Sequence, residues 1–560
     1  MRKTLRLLAT CGLATAFSST LVWGTVVWGD KFAPELRPEK TASRPMGENV
    51  EIIVRYKVAP TEAHHQKITN LGGQLNERMD FIMAAHYTVP RSALKTIAED
   101  PEVAYVSPNR PLKKMLEITA ATVNSGLVRS TYGFDGTGVG VALVDSGIWE
   151  GMNQWANAAG GSRIVYEQSF VGGTPQDQFG HGTHVAGIIG AHGNGTPYVG
   201  MAPGVNLINL RVLDQNGNGS DANVINAIST AIALRSKYNI RVINLSLGRP
   251  VFESAALDPL CQAVEAAWKN GIVVVVAAGN DGRDNSANTD GYGTIAAPGN
   301  DPYVITVGAM KTNGTPARSD DTIASYSSKG PTLFDQTVKP DIVAPGNRVI
   351  STMHPYMQLG TDYPANWDKG YYFTLSGTSM ATPVVSGAAA LLIQQNPAIT
   401  PDQVKAKLMK TATKSFPVSS VAVDPITGIS YTSYYDIFTI GAGYIDIMAA
   451  VQDQTTSSGS ALSPSVTYSA ATGTVTMQNV SGSNVVWGSN VVWGSNVVWG
   501  SNVVWGSSSL LANNVVWGSN VVWGSSTMAG FNVVWGSNVV WGSSTEEAAE
   551  SDSLAITGEQ

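Results

Sequence analysis

The sequence predicts an α/β protein: a parallel sheet covered by helices on both faces, with a small α+β unit before it and a tryptophan-rich repeat tail after it. Three observations predict this. Between about 119 and 452, apolar runs of four to seven residues alternate with helical stretches. Between 49 and 110, strand-like and helix-like patterns alternate within about 60 residues. After Gln452 the composition turns to Ser, Thr, Gly and Val, and from Asn484 the hexapeptide Asn-Val-Val-Trp-Gly-Ser recurs eight times.

The elements follow in order. Residues 1–16 read as a secretory signal: Arg2, Lys3 and Arg6 give the positive end, 7–17 is apolar, and Ala14-Thr15-Ala16 is a small-residue cleavage pattern. The apolar run is too short for a membrane anchor. Residues 17–48 read as a linker. In 49–110, strands are expected at 50–54, 83–89 and 103–106, and helices at 61–71 and 91–99. That order suggests a split βαβ unit of the ferredoxin-like kind. Residues 111–118 are a linker with Lys113 and Lys114, close after Arg110.

The large unit, 119–452, has continuous apolar strands at 139–144, 207–213, 242–245, 272–277 and 304–307, with helices notably at 222–234 and 259–269. Strands apolar on every residue must be covered on both faces, which indicates a parallel sheet between helical layers. Residues 453–483 read as a linker, 484–543 as the repeat region and 544–560 as an acidic tail. A period of six is even, so in a strand all the tryptophans would face one side. The repeats are read as a surface-interaction tail, binding a surface or itself, with a short β-solenoid as the alternative.

Composition sets outer limits. Of 560 residues only 14% are charged, and the net charge of −7 argues against nucleic acid as a partner. Only two cysteines occur. Cys11 lies in the signal, and Cys261 sits in an apolar stretch that reads as core.

Chemistry concentrates in three motifs of the large unit. Val144-Asp145-Ser146-Gly147 ends an apolar strand, at the sheet edge where ligand groups collect. Gly180-His181-Gly182-Thr183-His184 opens one helix, and Ser376-Gly377-Thr378-Ser379-Met380-Ala381 opens another. A serine nucleophile needs a base, and the base needs a carboxylate to fix its tautomer. The order Asp, His, Ser is that of subtilisins, whereas the α/β-hydrolase order begins with Ser.

At these residues the chain resembles the subtilisin-like serine proteases, over about 119–452. Gly200-Met201-Ala202-Pro203, Ala277-Ala278-Gly279-Asn280, Lys339-Pro340-Asp341 and Gly441-Ala442-Gly443-Tyr444 add to the likeness. The resemblance implies Ser379 as nucleophile, His181 as general base and then acid, and Asp145 as its orienting carboxylate. It implies Asn280 and the Ser379 backbone N–H as oxyanion donors, and His184 as a structural histidine. Ser246-Leu247-Gly248 and, on the other side, 217–219 with Gly219 resemble the strands that bind an extended substrate. Residues 49–110 resemble the family's inhibitory propeptide, so a secreted, self-processing endopeptidase acting on proteins or peptides is implied.

No cofactor is implied for catalysis. The family usually binds structural calcium, and the loop 192–198 matches the family's loop in length and carries Asn194. The acidic ligand expected about nine residues after Asp145 is replaced by Asn153-Gln154. A calcium site and an ordinary surface loop therefore both stand as readings of 192–198.

Overall fold

The computed structural model describes residues 31–32, 36, 48–108, 115–157, 159–193, 195–286, 289–424, 427–469, 474–478, 510–511 and 558–559. They fall into two compact units, Met1–Leu112 and Lys113–Gln560. The signal segment and all eight hexapeptides lie outside the described residues.

The small unit contains β1 (Asn49–Tyr56), α1 (Glu62–Asn70), β2 (Gln74–Met79), β3 (Ala84–Pro90), α2 (Leu94–Glu99) and β4 (Val103–Pro108). Its sheet runs β2-β3-β1-β4 with every pair antiparallel. Ile52, Val54 and Tyr56 of β1 are buried while Glu51 and Arg55 are exposed, the alternation of a sheet covered on one face. Strand β2 is absent from the sequence reading. It is a polar edge strand whose Leu75 is only half-buried, so it carries no apolar signal. Phe32, read as part of a linker, bridges to Val106 and is buried in this core.

The large unit opens with α3 (Met115–Thr122) and α4 (Ser125–Tyr132), then β5 (Gly140–Asp145), β6 (Ile164–Ser169) and α5 (His181–Gly190). There follow β7 (Asn206–Arg211), α6 (Asp221–Tyr238), β8 (Ile240–Leu245), α7 (Pro259–Lys269), β9 (Val273–Ala277) and β10 (Ile305–Lys311). Next come β11 (Thr322–Ile323), β12 (Ile342–Pro345), β13 (Val349–Thr352), α8 (Gln358–Asp362), β14 (Tyr372–Leu375) and α9 (Thr378–Gln395). The unit ends with α10 (Pro401–Thr411), β15 (Ser419–Val423), β16 (Ser430–Tyr434), α11 (Ile447–Gln452), β17 (Ser465–Ser469), β18 (Thr474–Gln478) and β19 (Leu510–Leu511).

The main sheet runs β11-β10-β9-β8-β5-β7-β6, with β12 beside β10. Every pair except β10–β11 is parallel. All six residues of β5 and all five of β9 are buried, as continuous apolar strands require. Helices α5 and α9 pack on each other and on the sheet, and α6 and α7 form a second packed pair on it. The chain winds from β5 out to β6 and β7, then returns to place β8 on the other flank of β5. This reversal opens a crevice at the carboxyl ends of β5 and β8. Strand β6 was not expected, because Ile-Val-Tyr-Glu-Gln-Ser is only half apolar; it lies at the sheet's edge.

Residues beyond 452 are less linker-like than the sequence suggests. Ser463 Oγ donates to Asp341 Oδ1 at 2.5 Å and accepts from the buried Lys405 Nζ at 2.9 Å. The Val338 N–H donates to Pro464 O at 2.8 Å, so the chain is fastened to the sheet before β17 begins. Among the described residues no helix is long and apolar enough to cross a membrane.

Candidate active site

Asp145 is the last residue of β5, between β7 and β8, and is fully buried. Its Oδ1 accepts the Ser146 N–H at 2.7 Å and the Nδ1 of His181 at 2.7 Å. A carboxylate only accepts, so Nδ1 carries the proton and Nε2 carries the lone pair of the neutral ring. Burial alone lowers the basicity of His181, but the charge and hydrogen bond of Asp145, with help from Asp177, raise it above the ordinary histidine value.

His181 is the first residue of α5, and His184 lies one turn deeper. His184 is fully buried, with Nε2 at 3.0 Å from Phe373 O and 3.2 Å from Val349 O. Burial pushes its pKa down to about 3 despite those carbonyls. One helix thus holds a histidine poised to protonate and another that stays neutral.

Ser379 is the second residue of α9. Its Oγ donates to Ser246 O at 3.0 Å, and its own carbonyl accepts from Ser246 Oγ at 2.8 Å. That carbonyl is open to Ser246 because the residue four on is Pro383, which has no N–H to complete the helix bond. Ser246 follows β8, so the nucleophile helix is pinned to the end of the strand beside β5. The helix is preceded by Gly377 at φ +136°, a conformation that favours glycine. The Ser379 N–H lies in the first helical turn, where the residue four before it, Leu375, is still in β14 and offers no helical carbonyl. The Oδ1 of Asn280 accepts from Thr378 N at 2.9 Å and Thr378 Oγ1 at 3.1 Å, so the NH2 end of the amide faces the other way.

The structure also supplies positioning residues that the sequence reading missed. Asp177 is fully buried and accepts from Ser146 Oγ, Phe179 N, Gly180 N, Thr183 N and Thr183 Oγ1 at 2.7–3.0 Å. It ties the residue after Asp145 to the start of α5. Burial raises its pKa while those hydrogen bonds oppose the rise. Arg211, at the end of β7, donates to Thr174 O, Gln176 O and Gln178 Oε1, fixing the loop that holds Asp177. The available signal was a carboxylate four residues before a helix-opening histidine, a position suited to capping.

The candidate substrate segments are irregular backbone. Residues 246–248 and 217–219 form no strand within the chain. Gly248 and Gly219 are exposed, Leu247 is half-buried and Ser246 is buried. Residues 214–218 close a turn, with the Asp214 N–H on Asn218 O at 2.8 Å.

Asn194 lies outside the described residues. Gly193 O already accepts from Thr196 N and Thr196 Oγ1, each at 2.7 Å. Nearby, the buried Arg163 guanidinium donates to Gln154 O at 2.8 Å, Gly190 O at 2.6 Å and Val205 O at 2.9 Å. Burial lowers its pKa only to about 10, so a fixed positive charge occupies these carbonyls at neutral pH. Among the described residues no group of three or more His, Cys, Asp or Glu side chains gathers to hold a metal. Cys261 is buried as a core thiol, its Sγ at 3.2 Å from Asn300 Oδ1.

The chain is similar to known proteins over this same region. The sequence pattern of the subtilase family matches residues 136–429. Serine protease AprX of Bacillus subtilis is 39% identical over 353 residues, which are 61% of this chain and 76% of AprX. Subtilisin E of the same species is 34% identical over 387 residues, 69% of this chain and 85% of subtilisin E. An extracellular serine proteinase of a Thermus species is 36% identical over 334 residues, 58% of this chain and 70% of that protein. With a mostly parallel sheet and motifs at its carboxyl edge in Asp, His, Ser order, the chain belongs to the subtilase family and is a subtilisin-type serine protease.

Proposed function

We propose that the protein is a secreted endopeptidase that cuts proteins through an acyl-enzyme formed on Ser379, and that it matures by processing its own precursor. The observation that carries this is the buried Asp145–His181 hydrogen bond of 2.7 Å, at the same sheet edge to which Ser246 pins Ser379. On substrate binding, Ser379 Oγ turns from Ser246 O toward His181 Nε2 and gives up its proton as it attacks the scissile carbonyl. Asp145 stabilises the imidazolium. Asn280 Nδ2 and the Ser379 N–H receive the developing oxyanion, in the positive field of the α9 N-terminus. His181 then protonates the departing amine, and water releases the acyl group by the same route.

The backbone at 246–248 and 217–219 belongs to no strand of the chain, and Gly248 and Gly219 are exposed, which suits main-chain pairing with an extended peptide on both sides. Residues 49–110 serve as the inhibitory propeptide, and the signal pattern at 1–16 directs export. Calcium takes no part in the chemistry. The repeats supply a surface-interaction function separate from catalysis.

The test is to express the precursor as wild type and as Ser379→Ala, following precursor size and casein cleavage together. Processing and casein loss in the wild type, both absent in the variant, are expected. Processing without casein loss would restrict the enzyme to its own maturation, and an unchanged variant would remove Ser379 from the mechanism.

A further inference from the structure

The last described residues lie in the acidic segment that the sequence marks as a polar tail, yet Glu559 is only 6% exposed. Its backbone N–H and C=O are both held by one side chain. The Glu559 N–H donates to Asn347 Oδ1 at 2.9 Å, and its carbonyl accepts from Asn347 Nδ2 at 3.1 Å. Its carboxylate accepts from the Ser325 N–H at 2.8 Å, from Ser325 Oγ, and from Arg283 Nη2 at 3.2 Å.

Arg283 is itself built into place. Its Nε donates to Ser325 Oγ at 2.6 Å, its Nη1 donates to Asp424 Oδ2 at 3.2 Å, and its guanidinium lies 4.3 Å from the centre of the Tyr431 ring. The side chains of Arg283, Asp424 and Glu559 are exposed by only 5–7%. A buried carboxylate with several charge-assisted donors is the signature of a recognition site rather than of a solvated tail. Gly558 adds selectivity. Its φ is +78°, and a Cβ there would run into Ser376 Oγ and Arg348 Cγ.

The site lies beside the catalytic loops. Arg283 follows Asn280 by three residues, and Ser376 precedes Ser379 by three. Ser376 Oγ also accepts the Arg348 N–H at 2.8 Å. The chain is already fastened upstream, where Val338 bonds to Pro464 and the Val466 N–H donates to Gln336 O at 2.9 Å.

We propose that the peptidase unit carries a receptor site for the Gly558–Glu559 segment of its own chain. The segment is clipped beside Ser376, three residues before Ser379. The occupant's chemistry is a glycine in left-handed conformation followed by glutamate. The proposal is independent of the catalytic reading, because nothing in it requires Ser379 to act.

The test uses the full chain carrying Ser379→Ala, which keeps autolysis out, with Glu559→Ala and Gly558→Val as added substitutions. Amide hydrogen exchange is read at 323–328 and 345–349. Each added substitution is expected to speed exchange at both segments by at least about tenfold, as loss of charge-assisted hydrogen bonds implies. A synthetic peptide of residues 553–560 is expected to restore protection in the Glu559→Ala protein, and the same peptide carrying Glu559→Ala is not. Unchanged exchange in both variants would overturn the site. Equal rescue by the two peptides would overturn recognition of the glutamate. Protection that varies with protein concentration would overturn closure within one chain.

Discussion

The two sheets of this molecule solve burial in opposite ways. In β1 of the small unit, buried Ile52, Val54 and Tyr56 alternate with Glu51, Ile53 and Arg55, which are exposed or half-buried. In β5 of the large unit every residue from Gly140 to Asp145 is buried. The small antiparallel sheet is stitched by short connections, and its unit carries surface ion pairs such as that of Lys67 in α1 with Asp100 and Glu102 in the turn before β4. The parallel sheet joins strands far apart in sequence, and its carboxyl edge gathers charged and polar groups that its faces exclude. The proposed catalytic chemistry accordingly lies at the second sheet, where a low-dielectric floor strengthens the Asp145–His181 pair.

The largest expected effect tests whether chemistry resides only at that edge. Asp145→Asn should lower kcat of the mature enzyme by about 10⁴, a size carried over from other serine proteases, because the asparagine favours the wrong histidine tautomer. Substitutions in 49–108 should leave kcat of the mature enzyme unchanged. Asn280→Leu should lower kcat by about 10²–10³, a size borrowed from the oxyanion donor of subtilisin rather than obtained from this structure. Normal kcat in either variant would break the assignment of catalysis to the parallel sheet.

A stability contrast follows. Ile243→Ala, in the middle of β8 and fully buried, should cost about 2–5 kcal/mol by chemical unfolding. Lys67→Ala should cost far less, because water already solvates its ion pairs. Equal losses would mean that the two sheets are not stabilised differently.

The two histidines of α5 sharpen the electrostatic side. Activity needs neutral His181, whose pKa is raised chiefly by Asp145 once the opposing effect of burial is overcome. The acid limb of kcat/KM should therefore have its midpoint above the ordinary histidine value of about 6.5. His184, held down to about 3, should add nothing near neutral pH, so the limb should show a single proton. A midpoint well below 6.5, or a two-proton slope near neutrality, would count against this assignment.

The smallest expected effect concerns metal. Arg163 already fills the carbonyls of Gln154, Gly190 and Val205, so chelation should barely move the melting temperature. A fall of several degrees on adding EDTA, reversed by calcium, would show that the loop around Asn194 binds the ion after all.

Much of the fold and the reacting groups was legible in the chain. Continuous apolar runs placed five strands of the parallel sheet to within a few residues, and α7 matches at both ends. Of the strands that escaped, β2 and β6 are edge strands, where one side needs no apolar partner and the pattern loses its contrast, whereas β12 is fully buried but only four residues long and ends in Pro345, and the pairs β13–β14 and β15–β16 are strands of four or five residues. Asp145, His181 and Ser379 are candidates because their motifs are local, and the structure places them at a strand end, a helix start and a helix start. Arg211 could not be named, because its partners at 174–178 come to it only by folding, and Asp177 joins its local partners at 179–183 to the distant Ser146.

What the sequence determined by itself was therefore local: where the continuous apolar strands and the principal helices lie, and which side chains are candidates for chemistry. Tertiary structure decided the rest, since it sets burial and neighbours. It made one histidine of α5 basic and its neighbour inert. It put Ser246 beside Ser379 and the Arg163 guanidinium on the carbonyls of Gln154, Gly190 and Val205. It turned Glu559 from a tail residue into a buried one, because a carboxylate's environment depends on groups such as Arg283, Ser325 and Asn347 that lie more than two hundred residues away in the chain.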